Sequence, residues 1–252
     1  MPVLALPGAA LLFGLLIGSF LNVVAWRLPR RESLVRPRSK CPSCGVQLSA
    51  LDNVPLLSWL VLRGRCRRCG DPISARYPVV EAATGLLYVA VVLAADGPRV
   101  LVLGLLLVTF LVPIALIDLD HRRIPNVLTG PAALAAVAAI TLIEPSWLTE
   151  ALLAGAAAGG FFLLAAVLYP RGMGMGDVKL AGVLGLYLGR AVAPSLFIAL
   201  IAGVLVGAAI IARKGAEEGR TTAVPFGPFL ALGAVIGLFA GDALVDAYLA
   251  RF

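Results

Sequence analysis

The sequence is poor in charge and has a single histidine. Only 14% of its 252 residues are charged, whereas soluble domains carry about 25%. This shortage, together with 60% hydrophobic residues, excludes a soluble globular enzyme, a disordered chain and a disulfide-rich secreted domain. The one histidine, His121, lies in a basic segment, which argues against a serine–histidine catalytic pair.

Long runs without charge predict membrane spans, since a spanning helix needs about 20 mostly apolar residues to cross a hydrocarbon core of about 30 Å. We therefore expect an all-α polytopic membrane protein with about eight transmembrane helices. The sixth is the shortest, about 12 residues or roughly 18 Å. The predicted spans are Met1–Ala25, Tyr77–Ala95, Val100–Ile117, Ile124–Ile143, Ala151–Tyr169, Asp177–Gly189, Ala191–Ala212 and Pro228–Leu249.

The basic residues predict the orientation of these spans. Eleven of the 21 Lys and Arg residues lie between Arg27 and Arg76, and basic loops beside spanning helices are typical of the cytoplasmic face. With this loop inside, 18 basic residues, including Arg171 and Arg220, fall on the inside and three outside. We therefore expect the N-terminus outside. We interpret the net charge of +7 as a consequence of this orientation in the membrane, and we expect no nucleic acid as a partner.

All four cysteines lie in this basic loop, as two CxxC pairs: Cys41, Cys44, Cys66 and Cys69. Two such pairs, 21 residues apart, have the spacing of a tetrahedral zinc site. Because all four ligands would be thiolates, we expect a structural rather than a catalytic metal. Disulfides are disfavoured in a reducing cytoplasm, a redox pair lacks its βαβ context, and metal-free structural cysteines are the remaining alternative.

Acidic side chains inside or at the edge of membrane helices are costly and usually functional. The predicted topology puts Asp118 and Asp177 on the same side at similar depth, where two carboxylates can share a proton and activate water against an amide. Alternatively, Asp118 only ends a helix and Asp177 only caps one. The other acidic positions considered are Glu81, Asp120, Asp242 and Asp246, of which the last two fall on the opposite side and are expected to be interfacial.

Several motifs together resemble one family. Gly174-x-Gly176-Asp177 is similar to the GxGD signature of membrane aspartyl proteases, and with Asp118 in the segment Ile117–Asn126 it resembles the bacterial type IV prepilin peptidases, also called leader peptidases. The resemblance covers nearly the whole chain. It also includes the segments Gly18–Pro29, Asp52–Trp59, Arg76–Glu81 and Pro225–Pro228.

The resemblance implies an enzyme of the bacterial cytoplasmic (inner) membrane. Such an enzyme removes the leader from type IV prepilins or type II secretion pseudopilins on the cytoplasmic side, with Asp118 and Asp177 as the catalytic pair. Many members then methylate the new N-terminus with S-adenosylmethionine, whose binding residues are not assigned here. The implied segments are a first transmembrane helix (1–26), a cytoplasmic zinc-knuckle loop (27–76) and a membrane peptidase domain (77–252).

Two other classes of function are compatible with membrane carboxylates and a cysteine-rich loop. A proton-coupled transporter would carry protons on membrane carboxylates, and it predicts carboxylates near the bilayer midplane together with inverted repeats. A non-catalytic scaffold would use the zinc loop as a docking site, and it predicts that Asp118 and Asp177 are dispensable. The oligomeric state is not determined by the sequence.

Overall fold

The computed structural model describes residues 2–169, 173–215 and 224–251. Met1, which begins the first predicted span, and Arg171 and Arg220, which belong to the predicted inside basic residues, lie outside these ranges. Within them the chain forms one five-residue helix, α2 (Leu57–Val61), eight long helices and no strand beyond two isolated β-bridges. The long helices are α1 (Pro2–Arg27), α3 (Arg76–Ala94), α4 (Pro98–His121), α5 (Asn126–Ile143), α6 (Leu148–Leu168), α7 (Met175–Leu188), α8 (Val192–Lys214) and α9 (Gly227–Leu249).

Seven helical runs are long and apolar enough to cross a membrane, judged by length and composition over the described residues. One of them, Met175–Lys214, contains both α7 and α8, which are joined by the single 3₁₀ turn Gly189–Ala191. With 14 residues, α7 is about 21 Å long at 1.5 Å per residue, shorter than the hydrocarbon core. The prediction of an all-α polytopic membrane protein is confirmed, including its short helix near Asp177.

Most helix ends differ from the predicted ones by one to four residues, and two of these differences lie close to the acidic residues of interest. Helix α4 continues four residues beyond the predicted end and closes with Arg122 in a left-handed conformation (φ 53°). The Arg122 N–H donates to the backbone carbonyl of Asp118 at 2.8 Å, so Asp118 lies in the last turn of a helix. Helix α5 starts at Asn126 instead of Ile124, because a residue that precedes a proline, here Pro125, is disfavoured in helical conformation.

The chain divides into two compact units, Met1–Ala95 (unit 1) and Asp96–Phe252 (unit 2). In unit 1, α1 packs closely on α3, since a Cβ added to Gly18 would lie 2.9 Å from the Glu81 Cα. In unit 2, α6 and α7 approach through glycines, and a Cβ on Gly185 would lie 2.6 Å from the Gly155 Cα. The division into segments 1–26, 27–76 and 77–252 stays a prediction.

The core of unit 2 is built from side chains of several helices. It holds α4, α6 and α7 together, and these helices carry or support the acidic residues described below. Its largest fully buried members include Ile114, Ile140, Phe162, Leu180, Leu184 and Leu230.

Candidate functional site

Asp118 is a buried carboxylate held by a backbone donor from a distant helix. Its residue is only 5% exposed, and its Oδ2 atom accepts the N–H of Gly227, the first residue of α9, at 2.8 Å. A Cβ added to Gly227 would lie 2.8 Å from that oxygen and 3.1 Å from the Asp118 Cβ. A larger residue at position 227 would therefore have to displace the Asp118 carboxyl group.

Aromatic side chains fix the start of α9, where this donor lies. The ring of Phe226 has its centroid 6.2 Å from Phe162 on α6 and 6.0 Å from Phe229 on α9, within the range of favourable aromatic contacts. Phe162 is fully buried. The position of the Gly227 N–H beside Asp118 thus depends on packing between α6 and α9.

Asp177 lies in the first turn of α7. Its Oδ2 atom accepts the N–H of Gly174, the residue that precedes this helix, at 3.2 Å, and its side chain is half-buried. The start of α7 packs on the segment between α4 and α5, because a Cβ on Gly176 would lie 2.9 Å from the Ile124 Cβ. Ile124 follows Asp118 by only six residues, so this contact draws the two aspartates toward each other.

The structure brings Asp118 and Asp177 together. Helices α4 and α7 are in contact, and the charges of the two carboxylates interact. Each carboxylate also accepts one backbone N–H, which holds both side chains in place. Two interacting carboxylates, one buried and one half-buried, can hold one proton between them and act as acid and base.

Three of the other acidic candidates have partners of their own. Asp242 and Asp246 bind Arg190 at 2.8 and 2.9 Å, and Asp242 is 15 residues from Gly227, or about 22 Å along α9. Glu81 accepts the N–H of Leu56 at 2.8 Å within unit 1. Asp120 is exposed.

An open groove of about 550 Å³ runs along α5, α6 and α7. At one end of it, Lys179 Nζ donates to Asn126 Oδ1 at 3.0 Å. Neither Asp118 nor Asp177 lines it, so the groove is distinct from the paired carboxylates.

The four cysteines form one cluster in unit 1. Their sulfur atoms all lie within 4.8 Å of one another, and none forms a disulfide. The Sγ atoms of Cys41 and Cys69 are 3.8 Å apart, which is about the separation of two thiolates bound tetrahedrally to zinc at about 2.3 Å. The cluster can therefore hold a metal ion, as the spacing predicts.

Two similar knuckles present these thiols. In the first, the N–H of Cys41 donates to Val46 O at 2.9 Å, and in the second, the N–H of Cys66 donates to Asp71 O at 2.8 Å. Each knuckle turns on a glycine with positive φ, Gly45 (70°) and Gly70 (76°), a conformation that glycine adopts without a steric cost.

The electrostatics of the cluster favour a bound cation. Backbone N–H groups of Cys44 and Ser43 lower the pKa of the Cys41 thiol to about 6. At Cys69, a backbone hydrogen bond with Asp71 lowers the pKa, but desolvation and the three neighbouring thiols outweigh it and raise the value to about 12. A bound cation would offset the charge of a thiolate at Cys69 and so favour its ionisation.

Fold and site together define a multi-pass membrane protein with two interacting aspartates near the ends of their helices and a separate tetrathiol cluster. Two family models match the sequence, the bacterial peptidase A24 N-terminal domain at residues 12–95 and the type IV leader peptidase family at residues 105–211. The chain belongs to the type IV leader peptidase family. The family resemblance and the expectation of a leader peptidase are confirmed.

Individual relatives support this membership over most of the chain. The prepilin leader peptidase/N-methyltransferase of Aeromonas hydrophila is 39% identical, with 96% of this chain and 93% of that protein covered. For the Pseudomonas aeruginosa protein of the same name the values are 36%, 95% and 92%. The Myxococcus xanthus protein is 44% identical, but the match spans 82% of this chain and 64% of that protein. No solved structure matches the chain.

Family membership and the helices indicate a multi-pass protein of the inner membrane. The roles of Asp118 and Asp177 stay predictions, although the structure brings these residues together. Sequence reasoning assigned no role to Gly227, the backbone donor to Asp118. The only signal for it was its place in the motif Pro225–Pro228, which carries no indication of which side chain the glycine meets.

Proposed function

We propose that this protein is a membrane aspartyl peptidase that removes the leader from type IV prepilins or type II secretion pseudopilins. Asp118 and Asp177 are its acid–base pair. The observation that carries the proposal is the placement of these two carboxylates on helices in contact, each held by a backbone N–H, in a chain of the leader peptidase family.

In this mechanism the two carboxyl groups share one proton. The ionised carboxylate removes a proton from water, which attacks the scissile carbonyl carbon, and the protonated carboxyl donates to the carbonyl oxygen or the leaving amine. No covalent intermediate forms. The hydrogen bonds from Gly227 and Gly174 orient the two groups before substrate binds.

A prepilin has a basic leader followed by an apolar helix, so we propose that substrate and enzyme meet side by side in the bilayer. The apolar segment sets the depth, and the bond to be cut then reaches the level of Asp118 and Asp177. The basic loop Arg27–Arg76 supports an orientation with the N-terminus outside and the active site at the cytoplasmic side.

We further propose that Cys41, Cys44, Cys66 and Cys69 hold a structural zinc ion. Four thiolates leave no open coordination position for catalysis, and the ion cross-links two knuckles in a loop with little regular structure.

S-adenosylmethionine-dependent N-methylation of the new N-terminus is a second activity, supported by the names of the relatives. No residue of this chain is assigned to that cofactor.

The alternatives have less support. A transporter would place its carboxylates near the middle of their spans, whereas Asp118 lies in the last turn of α4 and Asp177 in the first turn of α7. A scaffold requires no acid–base pair.

The deciding experiment incubates the purified full-length protein with a detergent-solubilised prepilin and sizes the product by mass spectrometry. We expect loss of the leader, and an unchanged prepilin would contradict the proposal.

The class of peptidase has a pharmacological consequence. Serine-directed reagents and mild chelators should leave the rate of leader cleavage intact, because the proposal involves neither a serine nucleophile nor a catalytic metal. The measurement is the cleavage rate before and after treatment, with a serine peptidase as the positive control for the reagent. Inactivation by the serine-directed reagent would contradict the assignment.

The contact between Gly227 and Asp118 gives a second consequence. Gly227→Ala should lower kcat by about 10²-fold, the order of the cost of displacing a catalytic group by about 1 Å, because the new methyl group would lie 2.8 Å from the Asp118 Oδ2 atom. The matched control is Gly207→Ala on α8, where an added Cβ meets no atom within 4 Å. Equal activity of the two variants would show that Gly227 does not position Asp118.

A further inference from the structure

Four apolar side chains beside the second cysteine knuckle have most of their surface exposed. They lie on α2 or in the turn before it, and none of them belongs to the proposed peptidase site or to the thiol cluster. These side chains are Leu51 (75% exposed), Leu57 (61%), Leu60 (61%) and Val61 (74%).

A hydrogen bond sets the depth of this segment relative to the membrane helices of unit 1. The N–H of Leu56, the residue before α2, donates to Glu81 Oε2 at 2.8 Å. Glu81 is only 7% exposed and lies five residues, or about 7.5 Å, beyond Arg76, where α3 begins. A Cβ on Gly18 would lie 2.9 Å from the Glu81 Cα. Glu81 is therefore level with a residue of α1 that lies nine positions before the end of that helix at Arg27.

Aromatic and basic residues mark where the membrane interface lies on the same two helices. Near the end of α1, the Arg30 guanidinium lies 3.7 Å above the Trp26 ring, and Trp26 is 53% exposed. At the start of α3, Tyr77 is 43% exposed. Tryptophan, tyrosine and arginine concentrate at the headgroup level. Leu56 is therefore tied to a level at most about four residues, or roughly 6 Å, below this belt, because helical side chains such as that of Glu81 lean toward the start of their helix.

Several polar groups of the segment form hydrogen bonds within unit 1, as insertion into lipid favours. Glu81 accepts the N–H of Leu56, the Trp59 indole donates to Ile73 O at 3.0 Å, and the N–H of Leu60 donates to Leu56 O at 3.0 Å. The exposed surface of α2 is formed mainly by the apolar side chains of Leu57, Leu60 and Val61. Leu56 has a positive φ of 60°, a strained conformation for this residue type that turns the chain back at the deepest point.

We propose that residues 54–61 form a re-entrant turn that dips into the lipid interface, with the Leu57, Leu60 and Val61 side chains among the acyl chains of the bilayer. A depth of up to about 6 Å for the backbone is comparable to the roughly 5–10 Å to which interfacial helices insert their apolar faces. The exposed Arg63 and Arg65, which follow α2, lie where lipid phosphates can accept from them. The turn holds the thiol cluster at the membrane surface.

The test is photo-crosslinking of the full-length protein in vesicles of phosphatidylcholine and phosphatidylglycerol. Leu60→p-benzoylphenylalanine places a photoreactive group on the outward side of the re-entrant turn. The matched control is Val46→p-benzoylphenylalanine, another exposed apolar position (41%) of the same loop, in the first knuckle. After irradiation, mass spectrometry counts peptides that carry a phospholipid adduct.

We expect lipid adducts at position 60 and none above background at position 46. Adducts to protein segments instead of lipid at position 60, or equal lipid labelling at the two positions, would overturn the proposal. If the Leu60 variant does not fold, Leu57→p-benzoylphenylalanine reports on the same surface with the same exposed fraction. The readout does not depend on peptidase activity, so it is separate from the test of the proposed function.

Discussion

Asp118→Asn and Asp177→Asn should each lower the rate of leader cleavage by about 10²–10⁴-fold, the usual contribution of a general acid or base. Asparagine keeps the shape of the side chain and an oxygen that accepts the N–H of Gly227 or Gly174, but it neither takes up nor releases the proton. Because the two groups work as one unit, the double variant should be no slower than the slower single variant. The measurement is prepilin cleavage by purified variants in detergent.

The matched control is Asp120→Asn, two residues from Asp118 on the same helix but exposed. We expect it to keep most of the activity, since its side chain is exposed whereas that of Asp118 is buried. Thermal unfolding of all three variants distinguishes loss of chemistry from loss of fold. Retained cleavage in either Asp118→Asn or Asp177→Asn would contradict the peptidase mechanism and would favour the scaffold alternative.

Cys44→Ser should reduce the bound zinc from about one ion per chain to a small fraction of that. Structural zinc sites with thiolate ligands bind with apparent free energies of about 10–16 kcal/mol in isolated peptides, and a serine hydroxyl is a poor replacement for a thiolate. Cys44 is exposed whereas Cys41 is buried, so this substitution removes a ligand with little direct change to packing. The measurement is metal content by mass spectrometry of the purified protein.

Limited proteolysis provides the second readout of the same prediction. Without the metal the two knuckles are no longer cross-linked, and we expect cleavage within residues 27–76 while the membrane helices stay intact. The control is Ser43→Ala, which alters the same knuckle and leaves all four thiols in place. Intact disulfides in protein made in a reducing cytoplasm, or unchanged zinc in Cys44→Ser, would contradict the zinc proposal.

The sequence alone was sufficient for features that depend on composition or on short spacing. Low charge and long apolar runs determine that the helices lie in a membrane, because no other solvent accepts so much apolar surface. The paired CxxC motifs predicted that the four thiols would meet, and the structure places them together. The count of apolar residues also predicted that the helix after Asp177 would be short.

Only the tertiary structure decided which groups surround the aspartates. The donor to Asp118 comes from Gly227, 109 residues further along the chain, and its position depends on how Phe226 packs against Phe162. The depth of α2 depends in the same way on the bond from Leu56 to Glu81. Local patterns of hydrophobicity determine which residues form helices and which ends share a side of the membrane. They do not determine which backbone N–H meets which carboxylate, because that depends on the close approach of helices distant in sequence.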